Sequence, residues 1–156
     1  MNSTRGPAGD PEDARVINLV LLLIVGVDHN RYDIVEATIA PEIVIDYTNS
    51  WGGDPLTLTS TEYTDLLRSS VPGFDVTRHE LCHIDAKIEG DDALASADFD
   101  VRHWLDGDLW RILGTYHWTL KRNAGQWAIT SLRRIVTEVI GDQDIVAKAK
   151  QRAVGR

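Results

Sequence analysis

The chain is short of several things, and each shortage excludes something. Among its 156 residues there is one cysteine, Cys82, so no disulfide can form within the chain and a packed core must hold the fold. Basic residues are outnumbered: 16 Lys and Arg against 24 Asp and Glu leave a net charge of -8. Such a surface repels phosphate backbones, which argues against nucleic acid as a partner. Long apolar runs are missing as well. The longest, Val16 to Val27, is broken by Asn18 and Gly26 and is too short to cross a bilayer. Asp10, Glu12 and Asp13 precede it, where a secretory signal needs positive charge. No membrane partner is expected, and a soluble, cytoplasmic protein is.

What is present points to one globular domain. With 43% hydrophobic and 26% charged residues the mixture is that of a folded protein, and the length is that of a single domain. The composition suggests a loose tail over 1–9, a domain over 10–141 and a C-terminal helix and tail over 142–156. Asp10-Pro11-Glu12-Asp13 reads as a helix start, with Asp10 as N-cap, and the helix runs to about Val27. Asn30 is placed to cap a second helix that Pro41 stops. Ile43 to Tyr47 is β-branched and reads as a short strand, and Trp51 to Pro55 as a loop. Thr59 with Glu62 is a capping box.

From Val76 onward the pattern changes. Four long segments, Val76–Glu89, Ala93–Leu105, Leu109–Arg122 and Trp127–Val139, read as strands joined by hairpin turns. In the second of them Ala95, Ala97, Phe99, Val101, His103 and Leu105 share one face. Helices followed by antiparallel strands make an α+β domain, and a curved sheet over helices leaves a concavity suited to a small molecule.

Two constellations could carry chemistry. His79-Glu80-Leu81-Cys82-His83 matches the H-E-x-x-H pattern of zinc hydrolases. That motif requires a helix, whereas Val76, Thr77 and the alternation of Cys82, Ile84, Ala86 and Ile88 indicate a strand. On a strand, residues four apart lie roughly 13 Å apart, too far to share one zinc, so no metal is expected. The second set is dispersed: Asp28, Tyr47, His79 and His103. A histidine on an apolar face, such as His103, can be a satisfied core residue or a proton acceptor whose charged form a carboxylate stabilises. Trp51 and Trp110 lie near loops where they could line a pocket mouth, while Arg133 and Arg134 read as solvated basic residues.

These residues together resemble the SnoaL-like branch of the nuclear transport factor 2-like superfamily, and within it the scytalone dehydratase family. The resemblance spans Val16 to Arg133. It is carried by Asp28 after the first helix, Ile39-Ala40-Pro41, Ile45-Asp46-Tyr47, Thr77-Arg78-His79, His103 and Gly125-Gln126-Trp127-Ala128-Ile129. It implies a cone-shaped α+β barrel, with a curved, mainly antiparallel sheet wrapped over N-terminal helices, a deep apolar pocket and no cofactor. In that picture His103 abstracts a proton α to a carbonyl, Asp28 orients His103, Tyr47 polarises the carbonyl, and His79 protonates the departing hydroxyl. Val27 stands where the family has a tyrosine, and Tyr116 where it has an asparagine; with Val101, Trp51 and Trp110 they are the expected substrate contacts. The implied activity is dehydration of a β-hydroxy carbonyl compound of aromatic or polyketide type, with a hydrophobic small molecule as partner. An isomerase or cyclase using the same pocket, a non-catalytic binding module and a zinc hydrolase are the alternatives. A sheet face in need of cover also suggests a homo-oligomer.

Overall fold

Val16, Val20, Leu23, Ile24 and Val27 recur at helical spacing, and this stripe is the buried face of α1 (Pro11–Asp28). The computed structural model describes residues 11–155. The expected tail over 1–9, the N-cap expected at Asp10, and Arg156 lie outside the described residues. A tight turn leads to α2 (Tyr32–Thr38). The turn is tight because Gly26 has no side chain, and a Cβ there would press on Val35 and on the Arg31 carbonyl. Asn30 is not the cap that was expected. It takes the left-handed backbone of the turn, with φ of 54°, and its side-chain oxygen accepts a hydrogen bond from the Tyr32 hydroxyl at 3.1 Å.

β1 (Ile39–Asp46) begins before Pro41 rather than after it. The proline is tolerated because the pairing of β1 with its parallel neighbour is irregular between Ile39 and Val44, so no ladder N–H is needed there. The stretch read as a loop holds two further elements, a single turn α3 (Thr48–Trp51) and an edge strand β2 (Leu56–Thr59). The expected capping box opens α4 (Ser60–Arg68): Glu62 N donates to Thr59 Oγ1 at 3.1 Å, and Thr59 N donates to Glu62 Oε1 at 3.3 Å. A 3-10 turn (Val71–Gly73) follows.

The four long strands are β3 (Val76–Glu89), β4 (Asp92–Leu105), β5 (Asp108–Asn123) and β6 (Gln126–Gly141). They form an antiparallel meander, and the sheet order is β2-β1-β6-β5-β4-β3, with β1 and β6 parallel. Among the described residues β2 and β3 are the edge strands, so the expected cone-shaped, curved and mainly antiparallel sheet does not close on itself. It folds over α1, which touches β3, β4 and β6. In β4 every residue of the expected apolar face is buried. β3 is less regular. Thr77, His79 and Leu81 turn inward, then Ile84, Ala86 and Ile88. Between them a bulge leaves Cys82 and His83 both exposed, with His83 at a φ of 51°.

α5 (Ile145–Val154) closes one end of the concavity. It lies directly on the 3-10 turn because Gly73 lacks a Cβ, which would otherwise fall on the Ala149 backbone. Arg152 fastens it to Asp75 at 2.8 Å and Asp106 at 2.9 Å. No helix among the described residues is long and apolar enough to cross a membrane.

Candidate active site

The concavity between the sheet, α1, α4 and α5 holds a cavity of about 560 Å³. That volume suits a small organic molecule. Leu23, Ile24 and Val27 supply an apolar wall from α1, and Phe74, Trp51 and Trp110 an aromatic one. From the strands His79, His103, Tyr116 and Arg134 face it, with Tyr47 at the end of β1, and Thr48, Asp54, Ser69, Ser70 and Lys150 add polar groups from helices and loops. A groove of about 600 Å³ on the outer face of the sheet is similar in size. It is lined by Glu80, Asp98, Asp100 and Glu138 and has no histidine.

Asp28, the last residue of α1, sits against the start of β3. Its Oδ1 lies 2.6 Å from His79 Nδ1, its Oδ2 accepts from His79 N at 2.8 Å, and Thr77 Oγ1 donates to Oδ1 at 3.0 Å. Burial pushes the Asp28 carboxyl up, but these hydrogen bonds outweigh it and hold the group below the usual range. Asp28 is thus a carboxylate, which only accepts, and so His79 Nδ1 carries the hydrogen. The remaining ring nitrogen of His79, Nε2, is left with its lone pair, on a ring that lines the cavity. This is a His–Asp dyad whose imidazolium form has a counter-ion in contact.

His103 is held differently. The expectation that Asp28 orients it is not met, because Asp28 belongs to His79. Instead His103 Nδ1 donates to the backbone carbonyl of Trp110, its partner across the β4–β5 ladder, at 3.0 Å. The ring is stacked on Trp110, with centroids 4.2 Å apart, and tilted against Phe74 at 4.9 Å. Burial disfavours its charged form and lowers its pKa to about 3, outweighing the Trp110 carbonyl, which favours that form. His103 is therefore a neutral imidazole with Nε2 as an acceptor.

A third cluster surrounds Tyr47. The Arg134 guanidinium lies over the Tyr47 ring at 4.2 Å, and the Tyr63 hydroxyl lies beside that of Tyr47. The Tyr116 hydroxyl lies beside Arg134; burial pushes it up, so it stays protonated. Arg134 was read as solvated, yet it is only 8% exposed, while its neighbour Arg133 faces outward toward Asp46. The period of β6 explains the split, since Leu132 and Arg134 are both inward positions.

His79, His103, Tyr47, Tyr116, Trp51, Trp110 and Val27 all line this one cavity, and Asp28 stands behind His79. Val101 does not reach it; its side chain is buried within the core under β4. Sequence reasoning missed Arg134, Tyr63 and Lys150. The signal for Arg134 was its even spacing from the apolar Leu132, obscured by the adjacent Arg133.

The H-E-x-x-H pattern is divided between two faces. His79 faces the cavity, whereas His83 lies beyond the bulge on the exposed face, 2.8 Å from Asp98 Oδ2. Cys82, His83 and Asp98 bring three ligand-type atoms within 4.8 Å of one another out there, away from the dyad. The two motif histidines do not converge, in line with their strand setting.

The family model described as the SnoaL-like domain matches residues 12–133. No curated protein sequence matches the chain. Among solved structures, a protein from Kribbella flavida is 25% identical, covering 87% of this chain and 96% of its own, with a TM-score of 0.79. A candidate scytalone dehydratase from Novosphingobium aromaticivorans is 15% identical over 83% of this chain and 87% of its own, with a TM-score of 0.71. Hexachlorocyclohexane dehydrochlorinase LinA type 3 from Novosphingobium barchaimii is 15% identical over 83% and 89%, with a TM-score of 0.72. At 15% identity the likeness is one of fold. The expected SnoaL-like resemblance and the α+β fold of helices under a curved, mainly antiparallel sheet are borne out.

Proposed function

The chain belongs to the SnoaL-like domain family, and on that premise we propose that it is a lyase that needs no cofactor and dehydrates a β-hydroxy carbonyl compound. The observation that carries this reading is the Asp28–His79 dyad on a largely apolar cavity. His79 Nε2 takes the proton on the carbon next to the carbonyl. The electron pair moves to the carbonyl oxygen, where the hydroxyls of Tyr47 and Tyr116 donate to the enolate. Asp28 stabilises the imidazolium that results. As the carbonyl re-forms, the bond to the β-oxygen breaks, and the proton held on His79 leaves with the hydroxyl as water. The product is an α,β-unsaturated carbonyl compound and the dyad is restored.

His79 thus takes on the proton abstraction that the resemblance gives to His103 and keeps its own role at the departing hydroxyl. A ring whose pKa is about 3 is too weak a base to hold the abstracted proton, whereas one in contact with a carboxylate can. His103 Nε2 accepts a hydrogen bond from a substrate hydroxyl and so orients the leaving group. The names of two structural neighbours, a candidate dehydratase and a dehydrochlorinase, are in keeping with an elimination. Flat aromatic or polyketide-type molecules fit the aromatic wall.

The test is mass spectrometry of a panel of β-hydroxy ketones treated with the wild type and with His79→Gln. The expected result is a product lighter by one water with the wild type only. A product of unchanged mass, lost in His79→Gln, would move the reading to an isomerase or cyclase. Turnover that survives in His79→Gln would overturn the dyad as the base.

A further inference from the structure

Arg134 presents an unusual balance of charge. Its side chain is a permanent cation, 8% exposed, in the wall of the cavity. Burying such a charge is costly unless it is paired. Among the described residues no carboxylate lies within ion-pair distance of it: Arg133 next to it reaches Asp46, and Asp28 is taken by His79. What surrounds it instead is neutral, namely the Tyr47 ring and the Tyr116 hydroxyl.

The identity of its unpaired atoms is informative. Arg134 Nε and Nη2 are buried and have no hydrogen-bond partner. Those two N–H groups form one edge of the guanidinium, and that edge matches the two oxygens of a carboxylate. The same molecule shows the match twice. Arg111 holds Asp100 through Nε at 2.8 Å and Nη2 at 2.7 Å, and Arg31 holds Asp33 through Nε at 3.0 Å and Nη2 at 2.8 Å. A second cation, Lys150, lines the same cavity from α5. Trp110 Nε1, on another cavity residue, is a further buried donor with no partner.

We propose that the substrate carries a carboxylate, and that the Nε–Nη2 edge of Arg134 is the group that takes it. The substrate class is then a hydroxy-keto acid with a flat apolar body: the body lies along Trp110 and Phe74, its acid end on Arg134 and its reacting carbons under His79. This rests on the cavity being the substrate site, but it concerns recognition and not the proton transfer. Lys150 draws the anion into the mouth of a protein whose overall charge is negative.

Binding tests it without any turnover. The probes are 2-naphthoate and its neutral isostere 2-naphthamide, titrated by calorimetry into the wild type, Arg134→Gln, Arg134→Lys, Lys150→Gln and His79→Gln. The wild type is expected to bind the naphthoate at least about tenfold more tightly than the amide, as a charge-assisted paired contact implies. Arg134→Gln should lose that preference while still binding the amide, which also reports that the variant is folded. Arg134→Lys should keep a part of it, since one point charge replaces a two-pronged edge. Lys150→Gln should weaken the naphthoate about two- to threefold, in a salt-dependent way. His79→Gln should keep the preference although it loses turnover, and this separates the proposal from the dyad reading. Equal binding of the two probes by the wild type, no binding of naphthoate at millimolar concentration, or a preference that persists in both Arg134 variants would each overturn it. The wild-type comparison stands even if both Arg134 variants fail to fold.

Discussion

His79 and His103 occupy neighbouring strands, face one cavity and are both nearly buried, yet they are opposite in character. Thr77 pairs directly with His103 across the β3–β4 ladder and at the same time donates to the carboxylate that serves His79. A residue type alone does not define a role here. What separates the two rings is the atom behind Nδ1: a carboxylate oxygen for His79 and a peptide carbonyl for His103. A full negative charge supports an imidazolium in a dry site, and a peptide dipole does not offset the cost of burial.

The comparison can be broken most severely at Asp28. In Asp28→Asn the carboxamide can no longer stabilise a charged His79, so turnover should fall by about 10²–10⁴ with little change in KM. Steady-state kinetics on a turned-over substrate would show it, and a loss below tenfold would remove Asp28 from the mechanism. The acid sensitivity of the fold should then distinguish the two histidine environments. His103 is protonated in the unfolded chain below its ordinary value of 6.5 but resists protonation in the fold down to about 3. Stability should therefore fall as pH drops from about 6.5 toward 3, and His103→Gln should be less acid-sensitive across that window. Asp28 works lower on the scale. Its carboxyl is held below 3.8 in the fold, so its contribution is complete above that pH and is lost as the pH falls through the folded value. Urea unfolding of the wild type, His103→Gln and Asp28→Asn from pH 7 to about pH 2 would separate these windows; parallel curves would contradict both assignments. The mildest change is Thr77→Val, which removes one of three hydrogen bonds to Asp28. It should cost about 1 kcal/mol of stability and reduce turnover only severalfold.

Much of this architecture was legible beforehand, and the reasons are local. The period of two in β4 named its buried face, the Thr59–Glu62 pair named the start of α4, and the turn residues named three hairpins. The errors were local competitions decided by distant contacts. Pro41 was read as a helix stop but lies inside β1, because its stretch needs no ladder bond. Cys82 was assigned to the apolar alternation of β3, but the bulge at His83 shifts the phase by one residue and places Cys82 outside. Arg134 was read with Arg133 as a solvated pair, although alternate residues of a strand face opposite ways.

The chain's own order of residues was enough to determine an α+β domain and the inward face of β4 that carries His103, because period, turn chemistry and charge are properties of neighbours in sequence; that Asp28, Tyr47, His79 and His103 belong to one site was implied by the family resemblance. It could not decide which histidine receives Asp28, nor that Arg134 is buried without a partner. Asp28 meets His79 across 51 positions, and that meeting depends on where the end of α1 comes to rest on the inner face of the sheet. Only the packed structure brings those atoms together, and which nitrogen of each ring carries the hydrogen follows from the contact.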